Sequence, residues 1–73
     1  MRVSAKHVDR WLRWYHRKQR IEANDAALNA DPTDAGLYKA NEALKRQMAR
    51  WKLPRGWRSW EELGHYVQLQ SRS

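Results

Sequence analysis

The chain has 73 residues, no cysteine and a formal net charge of +7. A chain this short forms one small domain with a marginal core, and without cysteine it has neither disulfides nor a thiolate metal site to reinforce that core. The five tryptophans and 41% hydrophobic content suffice for folding, which excludes a disordered basic tail. No apolar run suits a membrane span or a signal peptide, so we expect a soluble, cytoplasmic protein without membrane contact. We also expect it to be a monomer.

The first predicted helix runs from about residue 5 to 29. Ser4 is placed to cap its start, and nothing disfavours helix before Asp31-Pro32. Residues at helical spacing along it predict the face turned toward the core. This stripe consists of Ala5, Val8, Trp11, Leu12, Tyr15, Gln19, Ala23, Ala26 and Ala30.

A turn at Asp31–Asp34 separates this helix from a second one, predicted over about 34–52. Either Thr33 or Asp34 is suited to cap the second helix. Leu53-Pro54 ends it, because the residue before a proline is disfavoured in helix. Its predicted core stripe is Leu37, Ala40, Asn41, Leu44, Met48 and Trp51.

The third predicted helix covers about 60–69 and has the clearest start signal. Ser59 and Glu62 match a capping box, and Trp60, Leu63 and Val67 follow on one side. A glycine at position 64 indicates either close packing or a weakly held element, because glycine costs a helix about 1 kcal/mol relative to alanine.

These elements predict an all-α fold. Because a four-residue turn joins the two long helices, they should form an antiparallel hairpin with the short third helix packed against it. We expect one domain over residues 1–73, with 1–4 and 70–73 flexible.

The excess charge is concentrated in two segments. Residues 1–20 hold seven bases and one acid, and residues 45–58 hold six bases and no acid, while 21–44 are net acidic. An antiparallel hairpin brings the two basic segments to one end. Like charges repel there, so we interpret this end as a binding surface.

Two lines on the first helix carry the candidate site. Lys6, Arg10, Arg13, Arg17 and Arg20 recur at steps of four and three and form a row of one charge sign. A second line at heptad spacing contains His7, Trp14, Ile21 and Leu28. The third helix, led by Trp57 and Trp60, is too short to cover all of this second line. The structural alternatives are that the charged row is a solvated outer face and that the third helix covers Trp14 and Ile21.

The predicted partner-binding surface combines the start of the helix with these lines. An exposed tryptophan flanked by arginines is typical of protein-binding hot spots. The predicted contact residues are Val3, Lys6, His7, Arg10, Arg13, Trp14 and Arg17.

No enzyme motif is present. The histidines lack metal-ligand spacing, there is no glycine-rich phosphate loop, and Glu61-Glu62 is explained by helix capping. We therefore expect no catalytic function and no cofactor.

The alternative to a protein-binding regulator is a nucleic-acid-binding module that uses the Arg and Lys cluster on phosphates. A net charge of +7 favours weak non-specific nucleic-acid binding in any case.

The length, the Met1-Arg2-Val3-Ser4 opening, the 10–15 segment RWLRWY and the 57–63 ending resemble a small RNA polymerase-binding transcription regulator of a Xanthomonas bacteriophage. The resemblance spans the whole chain and implies binding to the largest catalytic subunit of host bacterial RNA polymerase. It further implies inhibition of initiation, through interference with sigma-factor and promoter engagement, and antitermination. The resemblance does not assign binding residues in this sequence.

Overall fold

A computed structural model describes residues 3–71 of the chain. Three helices, α1 (Ala5–Ala30), α2 (Ala35–Ala49) and α3 (Trp60–Ser71), follow one another, and the described residues contain no strand. Helices α1 and α2 pack closely and α3 packs against α1, which confirms the predicted all-α fold. The predicted boundaries agree within two residues except at the end of α2, which stops at Ala49, three residues early, because Arg50 forms its C-cap.

The start of each helix is set by the side chain predicted to cap it. The Ser4 hydroxyl accepts a hydrogen bond from the His7 N–H at 3.3 Å, and the Asp34 carboxylate accepts one from the Leu37 N–H at 3.0 Å. These bonds satisfy backbone donors that have no partner within the helix.

The capping box of α3 is shifted by one residue from the usual pattern. The Ser59 hydroxyl accepts from the Glu62 N–H at 3.1 Å. The Glu62 carboxylate, however, accepts from the N–H of Arg58 at 2.8 Å rather than from that of Ser59. The Glu62 carboxylate therefore also fixes the backbone of Arg58, near the end of the linker that precedes α3.

The chain separates into two compact units. Unit 1 comprises residues 1–14 and 52–73, and unit 2 comprises residues 15–51. That the whole chain is one domain stays a prediction.

Unit 1 contains the apolar core. Its buried members are Val3, Trp11, Leu63 and Val67. Half-buried side chains pack around them, and these are Val8, Trp14, Trp57, Trp60 and Tyr66. Large rings supply most of this core, as a short chain requires.

Both termini of the described chain join unit 1. Val3 is 3% exposed, and its N–H donates to the Gln70 side-chain oxygen at 2.8 Å. The Gln70 amide donates back to the Val3 carbonyl at 3.1 Å. The predicted flexible segments 1–4 and 70–73 thus include residues with defined contacts, while 1, 2, 72 and 73 lie outside the described residues.

Unit 2 is a helical hairpin whose contacts run antiparallel, as predicted. The Arg17 guanidinium of α1 lies 4.7 Å from the ring centroid of Trp51, which follows α2. Further along α1, Asn24 and Asp25 hydrogen-bond to Asn41 of α2. Residue numbers therefore rise on one helix as they fall on the other.

The predicted core stripe of α1 is wrong for most of its length. Leu12 and Tyr15 are 39% and 36% exposed, and the alanines beyond them are exposed. The heptad line of His7, Trp14, Ile21 and Leu28 is half-buried instead. Turning these larger side chains inward removes more apolar surface from water than burying alanines would.

No helix in the described part of the chain is long and apolar enough to cross a membrane.

Candidate functional site

Three of the predicted contact residues form an exposed row on α1 within unit 1. Lys6, Arg10 and Arg13 follow one another at steps of four and three, which places them on one side of a helix. All three are exposed to solvent. We call these three residues the basic row.

One member of the basic row has an acidic neighbour on its own helix. The Arg13 Nε lies 3.2 Å from an Asp9 carboxylate oxygen, and both side chains are about two-thirds exposed, at 67% and 64%. An exposed ion pair of this kind contributes about 0.3–0.5 kcal/mol. A partner's carboxylate or phosphate can therefore replace Asp9 at little cost.

Val3 is buried and His7 is half-buried, so neither side chain is fully accessible to a partner. Val3 is part of the buried core, which differs from its predicted contact role, because Gln70 closes over its backbone. His7 is half-buried in the first turn of α1.

Trp14, also among the predicted contact residues, is half-buried against the core of unit 1. Its ring stacks on that of Trp60, with centroids 5.4 Å apart and planes 8° from parallel. The alternative in which α3 covers this part of the heptad line is therefore the one observed. Aromatic stacking in a small core adds about 0.5–1.5 kcal/mol beyond area burial, which favours the covered state.

Arg17, the last predicted contact residue, belongs to unit 2. Its guanidinium lies over Trp51 in a cation–π arrangement and its side chain is half-buried. It therefore supports the hairpin and is not grouped with the basic row.

Most of the net charge belongs to unit 1. Its residues include eight Lys or Arg against three Asp or Glu, a formal charge of +5, whereas unit 2 has seven against five, a charge of +2. The unit that carries the basic row is thus the strongly basic one.

A polar cluster around the buried Asn41 joins α1 to α2 within unit 2. Asn41 was assigned to the core stripe of α2, and it is 1% exposed. Its amide donates to the Asp25 carboxylate at 2.8 Å, and its oxygen accepts from the Asn24 amide at 3.3 Å. Lys45 lies 3.4 Å from the same Asp25 oxygen. Neither helix sequence by itself indicates that these side chains pair across the two helices.

A groove along the hairpin of unit 2 was not predicted at all. Four apolar residues of α2 line it, namely Leu37, Ala40, Ala43 and Leu44, together with Arg20 and two uncharged polar side chains. Ala40 had been assigned to the core but is exposed.

Asp31, in the turn between α1 and α2, is held as a carboxylate by hydrogen bonds from Thr33. The hydroxyl of Thr33, and after it the Thr33 N–H, donate to Asp31 and lower the pKa of this carboxyl below its ordinary value of 3.8. Residues 3–71 contain no group of three or more His, Asp or Glu arranged to hold a metal ion. The basic row is suited to binding anionic groups, because guanidinium and ammonium groups donate hydrogen bonds to carboxylates and phosphates.

Comparison with known proteins finds no matching family model, no matching curated protein and no matching solved structure.

Proposed function

We propose that the chain is a small regulator that binds host bacterial RNA polymerase through the basic row, inhibits transcription initiation and acts as an antiterminator. Inhibition would come from interference with sigma-factor and promoter engagement. The observation that carries the binding part is the exposed row of Lys6, Arg10 and Arg13 on a unit with a formal charge of +5.

The choice of polymerase as the partner comes from the resemblance of the 10–15 and 57–63 segments. In the first of these segments, Arg10 and Arg13 project to solvent while Trp11 is buried. Arginine is suited to such a contact, since its planar guanidinium binds carboxylates with two parallel hydrogen bonds. An acidic surface of the largest polymerase subunit is the proposed docking site.

The covering of the two tryptophans beside the basic row favours a protein partner over single-stranded nucleic acid, although Tyr15 of the same segment is exposed. Proteins that bind single strands stack bases on exposed aromatic side chains. Next to the basic row, Trp11 is 6% exposed and Trp14 is stacked on Trp60. Glu61 and Glu62 begin α3, and carboxylates there disfavour a helix that approaches phosphates end-on.

The direct test is capture of polymerase by the tagged full chain from a bacterial lysate, with and without nuclease treatment. We expect RNA polymerase to be retained after nuclease treatment, because the proposed contact is with protein. Purified polymerase should then show reduced promoter-dependent initiation and increased read-through at a terminator when the chain is added.

Loss of all captured protein after nuclease treatment would contradict the proposal and support the nucleic-acid module. In that case affinity for random duplex should fall steeply, on the order of 10³-fold between 50 and 200 mM salt.

A further inference from the structure

The hairpin of unit 2 leaves its apolar side chains incompletely covered. Among residues 15–51, all of which the structure describes, Asn41 is the only buried one. Ile21, Leu28 and Leu44 are half-buried, although they lie on the faces that pair α1 with α2. In a pair of helices, each helix covers only one side of the other. Helical domains normally bury the remaining apolar side chains against a further helix or sheet.

The uncovered side has the shape and spacing of a helix-binding groove. Leu37, Ala40, Leu44 and Gln47 recur on α2 at steps of three and four and line it together with Ala43. Small side chains at 40 and 43 leave room for another backbone to approach. An amphipathic helix that lays its apolar face into a groove contacts it through residues at this same spacing.

The charge of the groove restricts its occupant. Arg20 is the one charged residue in its lining, and no carboxylate accompanies it. A second copy packed groove to groove would bring two Arg20 side chains together with no acid in either lining to compensate them, which disfavours such a symmetric contact. A helix with an acidic flank would instead pair with Arg20.

We propose that this groove binds an amphipathic helix of a partner protein, with apolar residues on one face and Asp or Glu along one flank. This site is separate from the basic row and goes beyond the proposed polymerase contact. The helix would bury Leu37 and Leu44 and place a carboxylate against the Arg20 guanidinium.

The test uses a displayed library of helical peptides of about 18 residues, or about five turns. Leu and Ala are fixed along one face, and the flanking positions carry Glu, Lys, Gln or Ser. Selection against the full chain should enrich Glu on one flank. An enriched peptide, labelled for fluorescence anisotropy, then serves as the probe for variants.

Ala40→Trp fills the groove and should weaken binding of this peptide at least about tenfold, equivalent to about 1.4 kcal/mol. Arg20→Glu should weaken it similarly and shift the preference toward the Lys version of the peptide. Both positions are exposed, so the fold should be retained, and circular dichroism checks this. Ala26→Trp, on an exposed part of α1 outside the groove, is the matched control and should change nothing.

The proposal is overturned if selection enriches no peptide that distinguishes the wild type from Ala40→Trp, or if enriched peptides show no preference for acids. It is also overturned if sedimentation equilibrium shows a dimer that Ala40→Trp dissociates, because a second copy would then occupy the groove. Arg10→Glu should leave peptide binding intact, so this outcome is independent of the polymerase contact.

Discussion

At Gly64 the backbone of α3 passes directly against the indole ring of Trp11. A Cβ at this position would lie 2.5, 2.6 and 2.7 Å from three indole atoms. We therefore expect Gly64→Ala to destabilise the protein by about 1–2 kcal/mol, because overpacking costs more than the gain in helix propensity. The free energy of unfolding, measured by urea denaturation, checks this.

Gly36 in α2 provides the matched control. A Cβ there meets only an Asp34 oxygen at 3.7 Å, an ordinary contact. Gly36→Ala should raise the free energy of unfolding by about 0.5–1 kcal/mol. If both glycine substitutions stabilise the protein, the close packing of α3 on Trp11 is wrong.

Thr33 controls the titration of Asp31 in the turn between α1 and α2. Its hydroxyl donates to the Asp31 carboxylate at 2.6 Å. In Thr33→Val we expect the pKa of Asp31 to rise toward its ordinary value, but not fully, because the Thr33 N–H bond at 3.2 Å remains possible. Carboxyl chemical shifts followed by NMR across acidic pH measure this change.

The sign of the pH effect follows from the lowered pKa. The stabilisation linked to Asp31 is fully present above the ordinary pKa of 3.8 and is lost as the pH falls through the lower pKa of the folded state. Thr33→Ser keeps a hydroxyl and should keep the low pKa. An unchanged pKa in the valine variant would show that the hydroxyl does not hold the carboxylate.

Asn41 sets the pairing between α1 and α2. Removing its amide in Asn41→Ala leaves Asp25 without a 2.8 Å donor and Asn24 without its acceptor. We expect a loss of about 1–3 kcal/mol in the free energy of unfolding. Asn41→Leu should lose less, because added apolar contacts offset part of the missing hydrogen bonds.

An exposed asparagine on α1 controls for the change in side chain itself. Asn29→Ala should alter the free energy of unfolding by no more than about 0.5 kcal/mol. A stabilising effect of Asn41→Ala would mean that the polar cluster does not support the hairpin.

The helices were predictable because their signals are local, whereas the inward face of α1 was not. Ser4, Asp34 and Ser59 cap helices using atoms three residues away, so the sequence itself holds both partners. The face of α1 depends on distant residues, such as Trp60, which stacks on Trp14. Spacing alone offered two apolar lines on α1, and in the second half of the helix the larger side chains Ile21 and Leu28 turn inward while the alanines stay exposed.

Only part of the candidate site could be predicted from the sequence. Lys6, Arg10 and Arg13 were recognised from one helical spacing and are exposed. Val3 was misplaced because its burial depends on Gln70, 67 residues away in the chain. The groove was missed because it arises only when two helices are set side by side.

We propose that the placement of charge along the chain, rather than its net value, selects a protein partner. The distribution is uneven, since unit 1 has a formal charge of +5 and unit 2 only +2. Net charge alone attracts any polyanion, and this attraction weakens with salt. Binding through the basic row should instead depend on which bases are changed.

The most direct measurement compares two charge reversals of equal size for binding to purified RNA polymerase. Arg10→Glu with Arg13→Glu alters the basic row, whereas Lys39→Glu with Arg46→Glu changes the net charge equally at exposed positions of α2. We predict that the first pair abolishes polymerase binding with helicity unchanged by circular dichroism, and that the second pair largely retains it. Retained affinity in the first pair, or equal loss in both, would contradict binding through the basic row.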